Sequence, residues 1–163
     1  MRNFTAALVL AAALGLVAAS SALADSSVPQ AAGKSGVLVS LERTACYGTC
    51  PIYTVTVLGD GTVLWEGRRF VKVTGKAKAK LSEAKLTALE DAFKEADFFS
   101  LADTYVQYDM TDQPSAITQF DDGKRKKSIR HYHGDRRAPP ALSELENKID
   151  QIIGTVRWIS RYR

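Results

Sequence analysis

The chain has 163 residues and a formal net charge of +4, with 25% charged and 45% hydrophobic residues. That is one domain's worth of sequence, long enough for a single core. It contains no G-x-S-x-G nucleophile elbow, no phosphate-binding glycine loop and no H-E-x-x-H, which excludes the enzyme classes built on those motifs.

Residues 1–24 read as a cleaved secretory signal. Arg2 supplies the positive charge, the run 4–19 is apolar, and Ala22 and Ala24 set a small-x-small cleavage pattern before Asp25. The apolar run is shorter than the roughly 20 residues a membrane span needs, and no second span follows. No cysteine lies at the cleavage point, so there is no lipid attachment site. The Ala-rich signal points to a bacterial periplasmic or secreted protein. Residues 25–36 are small and polar without periodicity, a flexible linker outside the fold.

The folded domain is expected over 37–160. "VLVSLER" (37–43) alternates Val37, Val39 and Leu41 as a strand does. "IYTVTVL" (52–58) sets Tyr53, Val55 and Val57 on one face, "GDG" turns, and "TVLWEG" (62–67) returns with Val63 and Trp65 inward. "FVKVTG" (70–75) continues this strand or adds another. The period then changes. Ser82 is positioned as an N-cap between the staple residues Leu81 and Leu86, and Leu86, Leu89 and Phe93 recur at helical spacing, which predicts a helix over about 83–96. Glu83, Glu90, Asp91 and Glu95 form its solvated side.

The aromatic stretch 97–114 reads as a packed connection. A second hairpin is predicted from 115–122 and 124–133 around "DDG". Pro139 and Pro140 suit the opening of a last helix, where the missing N–H costs nothing. Leu142, Leu145, Ile149, Ile152, Ile153 and Val156 give that helix an apolar stripe, weakened at Gly154, and Trp158 closes the core beyond it. The expected fold is α+β: two layers, with a mostly antiparallel sheet of about five strands and two helices packed on one face.

"CYGTCPIYTVTVLGDGTVLWEG" resembles the signature of an uncharacterised family of exported bacterial domains, with the pattern C-aromatic-G-x-C-P-x-Y. The later "TDQP", "DDGK" and "KIDQIIGTVRW" fit the same resemblance, which covers roughly 38–159. The matching positions are Cys46, Gly48, Cys50, Pro51, Tyr53, Gly61, Gly67, Asp112, Pro114, Asp150 and Trp158. The family is one of unknown function, so the resemblance implies a domain and an exported setting but no activity.

Three chemistries compete for Cys46 and Cys50, the two cysteines of the chain. In an oxidising compartment a pair four residues apart closes into a disulfide. Gly48 can supply a left-handed turn, and Pro51 biases Cys50 toward the extended geometry of the next strand. So small a ring contributes about 2 kcal/mol by chain entropy. Thiol-redox chemistry instead needs a stabilised thiolate, commonly at a helix N-terminus, and here a strand follows. Copper binding is the third. C-x-x-x-C-P with a distant histidine is similar to the copper site of cytochrome-oxidase assembly proteins, and thiolates with imidazole suit copper. His131 and His133 would complete that set, on one strand face with Ile129. Two histidines alone fall short of a closed metal site, so Asp135 or the cysteines would have to join them. Asp109 and Asp112 lie in a Tyr-rich loop without calcium-loop spacing. Asp112 is better read as capping that loop beside Pro114.

The stretch 123–137 carries Lys124, Arg125, Lys126, Lys127, Arg130, Arg136 and Arg137 against one Asp. Such a run usually meets nucleic acid. Export redirects it to an acidic exported protein or an anionic envelope surface, unless it only guards an outer strand against aggregation. The sequence therefore favours a non-catalytic exported binding domain without a cofactor. Copper or thiol-redox chemistry at Cys46 and Cys50 is the alternative, and a hydrolase in the 109–112 loop a third reading without a nucleophile.

Overall fold

Alternation of small β-branched residues with buried aromatics organises the molecule around one sheet. The computed structural model describes residues 36–106 and 112–159. The expected signal and nearly all of the linker lie outside those residues, as does Asp109. The strands are β1 (Val37–Arg43), β2 (Ile52–Leu58), β3 (Thr62–Arg69), β4 (Gly75–Lys80), β5 (Thr104–Tyr105), β6 (Ser115–Asp121) and β7 (Lys126–Tyr132). The helices are α1 (Glu83–Glu95) and α2 (Pro140–Ile153). The sheet order is β4-β3-β2-β1-β6-β7-β5, antiparallel throughout except for the parallel β5–β7 pair.

The fold is α+β as expected, with seven strands in the sheet rather than about five. β5 was unreadable because two residues carry no period. β4 lies over 75–80, not 70–75. There "GKAKAK" alternates Ala77 and Ala79 inward with Lys76, Lys78 and Lys80 outward, so its lysines shield a sheet edge. In β1 a register shift between Val37 and Val39 breaks the expected alternation, and Leu38 is buried beside Val39.

One face of the sheet supplies Leu41, Val55, Val57, Val63, Trp65, Phe120 and Ile129 to a core shared with Leu89 and Phe93 of α1 and Leu142, Leu145, Ile149 and Ile153 of α2. Phe93 stacks on Phe120 with ring centroids 4.2 Å apart. The other face, with Ser40, Thr54, Thr56 and Glu66, is half-buried or exposed. Ser82 caps α1, accepting a bond from the Lys85 N–H. α2 opens at Pro140 and ends at Gly154, whose left-handed φ of 75° makes it a C-cap rather than a weak point inside the helix. The chain then turns through a short 3-10 segment, which swings Val156 out to solvent, off the expected stripe.

Trp158 does close the core. Its ring lies 5.0 Å from that of Trp65, which stacks in turn on Tyr53 at 4.6 Å. The Trp65 indole N–H donates to the Val73 carbonyl at 2.9 Å, and the Val73 N–H donates to the Trp158 carbonyl at 3.0 Å. Gly67 makes this strap feasible. A Cβ there would lie 2.1 Å from the Val73 oxygen and 2.9 Å from the Trp65 indole nitrogen. A backbone oxygen held by a hydrogen bond cannot retreat. Gly67→Ala is therefore expected to destabilise the domain by about 3 kcal/mol, the upper end for overpacking. A urea-unfolding midpoint unchanged from the parent would show that the strap yields freely.

Candidate functional site

Strand register gathers a row of polar side chains under α2. Arg43 is opposite Tyr53 on one side and Ala116 on the other, and Ala116 is opposite His131. Residues in register across a sheet share a face, so Arg43, Tyr53 and His131 all project to the covered side. His133, two residues beyond His131, reaches the same place. From above, Glu146 and Asp150 sit one turn apart on α2, and Glu146 falls among the buried positions Leu142, Leu145 and Ile149.

The Glu146 side chain is 1% exposed. Its Oε1 lies 2.8 Å from His131 Nδ1, and its Oε2 lies 2.9 Å from His133 Nε2 and 3.4 Å from Arg43 Nη1. An ionised carboxylate only accepts, which places a proton on each of those imidazole nitrogens. The 3.4 Å approach of Arg43 Nη1 to His133 Nε2 then joins two donors, and its partner is Glu146. Burial pushes the Glu146 carboxyl up, but the bonds from His131 and His133 and the nearby charges of His131 and Arg43 outweigh it, and its pKa is held below the ordinary value.

Asp150 forms the second half of the network. It accepts from Arg43 Nη2 at 3.0 Å, from the Tyr53 hydroxyl at 2.7 Å and from the Thr155 hydroxyl at 2.8 Å. Burial, then the Asp150 charge, raises the Tyr53 hydroxyl above its ordinary pKa and keeps it a donor. Burial lowers the Arg43 guanidinium, but the charges of Asp150 and Glu146 raise it further, so it stays cationic. Arg43 thus bridges two carboxylates, each of which accepts three bonds. The described donors are matched to acceptors, and no hydroxyl or thiol among the described residues hydrogen-bonds to either histidine. Among the described residues the cluster shows no nucleophile–base pair of the Ser–His or Cys–His kind.

The predicted site residues are distributed differently. Cys46 and Cys50 are joined in a disulfide, with Cα atoms 5.8 Å apart. Gly48 between them is near-extended at φ 159°, not left-handed as expected. His131 and His133 both bond to one carboxylate under α2. Their partner is Glu146, neither Asp135 nor the cysteines, because Asp135 is buried against its own neighbour Arg137 at 2.6 Å. The Asp112 backbone carbonyl accepts from the Tyr47 N–H at 3.3 Å, which ties the 112–114 segment to the disulfide loop.

The basic run divides. Lys127 turns inward, with its ammonium on the Phe99 and Leu101 carbonyls and paired with Asp103 at 3.1 Å. Arg125 pairs with Asp122 and covers the Phe99 ring at 3.8 Å. Arg137 holds Asp135. Lys124, Lys126, Arg130 and Arg136 are exposed.

Arg43, Glu146 and Asp150 escaped assignment as a cluster, although each left a trace. Arg43 continues the spacing of Val39 and Leu41. Glu146 is a charge on the apolar stripe of α2. Asp150 and Tyr53 belong to the positions that carry the family resemblance, and here they touch.

A family model for a domain of unknown function (DUF6438) matches residues 37–153. The chain belongs to that family. No curated protein matches it.

Glu146→Leu removes the acceptor of three donors and strands Arg43 and two imidazoles in a buried site. The expected cost is about 3–5 kcal/mol, read by urea unfolding. The Arg137 side chain, hydrogen-bonded to Asp135, holds that carboxyl down at about 2. A carboxyl depressed in the folded state contributes stability above its unfolded pKa of about 3.9, and that contribution is lost as pH falls toward 2. Carboxyl-carbon NMR should find Asp135 titrating near 2, and back toward about 3.9 in Arg137→Ala.

Proposed function

We propose that this domain acts by binding rather than catalysis, outside the reducing cytosol, and that it meets an acidic exported protein through the loop closed by Cys46 and Cys50. The observation that carries this reading is Tyr47. The residue is 90% exposed, within a covalently closed ring. The ring is further tied by the Gly48 N–H to the Cys46 carbonyl at 2.9 Å and by Tyr47 to Asp112. An exposed aromatic on a loop already fixed loses little entropy on binding, and tyrosine and arginine are enriched among residues that dominate interface energies.

The neighbourhood sets the sign of the partner. Tyr47 lines a surface hollow together with Cys46, Gln113, Ser115 and the exposed Arg130. The exposed Arg130 beside Tyr47 favours a carboxylate in the partner. The disulfide and the signal-like residues 1–24 support an exported setting. Among the described residues no helix is long and apolar enough to cross a membrane. The copper or thiol-redox alternative at Cys46 and Cys50 has less support. Both sulfurs are engaged with each other, and the segment runs into β2 without a helix N-terminus to stabilise a thiolate.

A photo-crosslinking aromatic in place of Tyr47, introduced in the cell of origin, tests this. The expected result is one discrete adduct with an acidic exported protein, lost when Arg130→Glu is added. Affinity for that protein should fall about 30-fold or more in Tyr47→Ala, the size of an interface hot spot, and weaken with salt. Folding stability should change by less than about 0.5 kcal/mol, as for an exposed side chain. Adducts with lipid alone, or none, would reject the reading.

A further inference from the structure

The cluster of His131, His133 and Glu146 is more than a matched set of donors and acceptors. We propose that these three side chains form a binding site for a divalent first-row transition ion, of the two-histidine, one-carboxylate type that suits zinc. This goes beyond the binding reading and does not depend on it.

The geometry is that of ligands rather than of incidental neighbours. One ligand atom from each residue lies within 4.8 Å of the others, and the carboxylate–imidazole spacings are 2.8 and 2.9 Å. A tetrahedral ion with bonds of 2.0–2.1 Å holds its ligand atoms about 3.3 Å apart, so small side-chain rotations convert one arrangement into the other. The imidazole rings are tilted by 52° with centroids 4.8 Å apart. They converge on the carboxylate instead of stacking face to face. Each neutral imidazole would shift its proton from the ligating nitrogen to the other ring nitrogen and bind as a neutral ligand.

Two further features suit a cation. With neutral imidazoles the network holds the carboxylates of Glu146 and Asp150 against the single guanidinium of Arg43, a net charge of −1. A divalent ion changes that to +1, within the range a partly open site tolerates. Access exists on one side, where the His133 side chain is 28% exposed. Glu146 and His131 are buried and held by two different elements, α2 and β7, so the ligand set is preorganised. Arg43 stays on Asp150 at 3.0 Å, and its position 3.4 Å from Glu146 favours an anionic fourth ligand such as hydroxide or a carboxylate. Two histidines and one carboxylate leave that fourth position free in known catalytic zinc sites. The disulfide-bonded cysteines take no part.

Zinc chloride titrated into the untagged protein at neutral pH, followed by calorimetry and by imidazole-nitrogen NMR, tests the site. One equivalent should bind, with shifts at both His131 and His133, and the melting temperature should rise with zinc concentration. His133→Gln alters a half-exposed ligand without opening the core. It should stay folded by circular dichroism and lose at least tenfold in affinity together with the zinc-dependent rise in melting temperature. Glu146→Gln, where it folds, should do the same. No saturable binding, or one-site binding that survives His133→Gln unchanged, would overturn the proposal.

Discussion

A carboxylate on the core-facing side of a helix has to be matched before that helix can dock. Glu146 is that carboxylate, and its burial ties α2 to two strands at once, through Arg43 of β1 and through His131 of β7 and His133 just beyond it. An unmatched charge there would cost several kcal/mol, so the packing of α2 and the register of the strands beneath it are set together. Asp150 repeats the constraint one turn later, with Tyr53 of β2 and Thr155 beyond the helix end. The apolar stripe supplies the driving force for α2. The two carboxylates specify where along the sheet it settles.

From Tyr53 the constraint passes into an aromatic series. Tyr53 stacks on Trp65, and Trp65 packs against Trp158, so the segment after α2 is held to the hairpin of β2 and β3. The Val73 backbone joins the indole of one tryptophan to the carbonyl of the other, through space that only the missing side chain of Gly67 leaves open. Tyr53 and Trp158, 105 positions apart, thereby belong to one packing unit, and this explains why Tyr53, Gly67, Asp150 and Trp158 stand out together in the sequence although nothing local links them.

The disulfide loop grows from the same end of the sheet. β1 finishes at Arg43 inside the buried network, and three residues later the chain enters the ring of Cys46 and Cys50. Thr44 anchors the transition, its N–H donating to the Ser115 carbonyl at 2.9 Å and its hydroxyl accepting from the Ser115 N–H at 2.8 Å. The ring stiffens a loop whose base is already fixed, and the aromatic within it is presented by a rigid support. The disulfide loop and the buried cluster therefore share a scaffold while using different residues.

Much of this was legible in the sequence, because local rules act over short distances. Alternation in "IYTVTVL" and "TVLWEG", the cap at Ser82, the prolines before α2 and the proximity of two cysteines each predict their structure from neighbours alone. Lys124 to Arg137 also read correctly as charged, but the sequence could not say which charges were already spent. Lys127 and Arg137 turned to internal partners because a strand's alternate faces and a tight loop decide direction, which composition does not carry. β5 was hidden because two residues have no period. The cluster itself required the tertiary fold. Arg43, His131 and Glu146 lie 88 and 15 residues apart in succession, and they meet only because β6 inserts between β1 and β7 and lays three registers side by side under α2. The sequence determined the strands, the helices and the staple through nearest-neighbour chemistry. Which charges became a site was decided by long-range pairing, since the burial that gives those charges their chemistry exists only after the layers close.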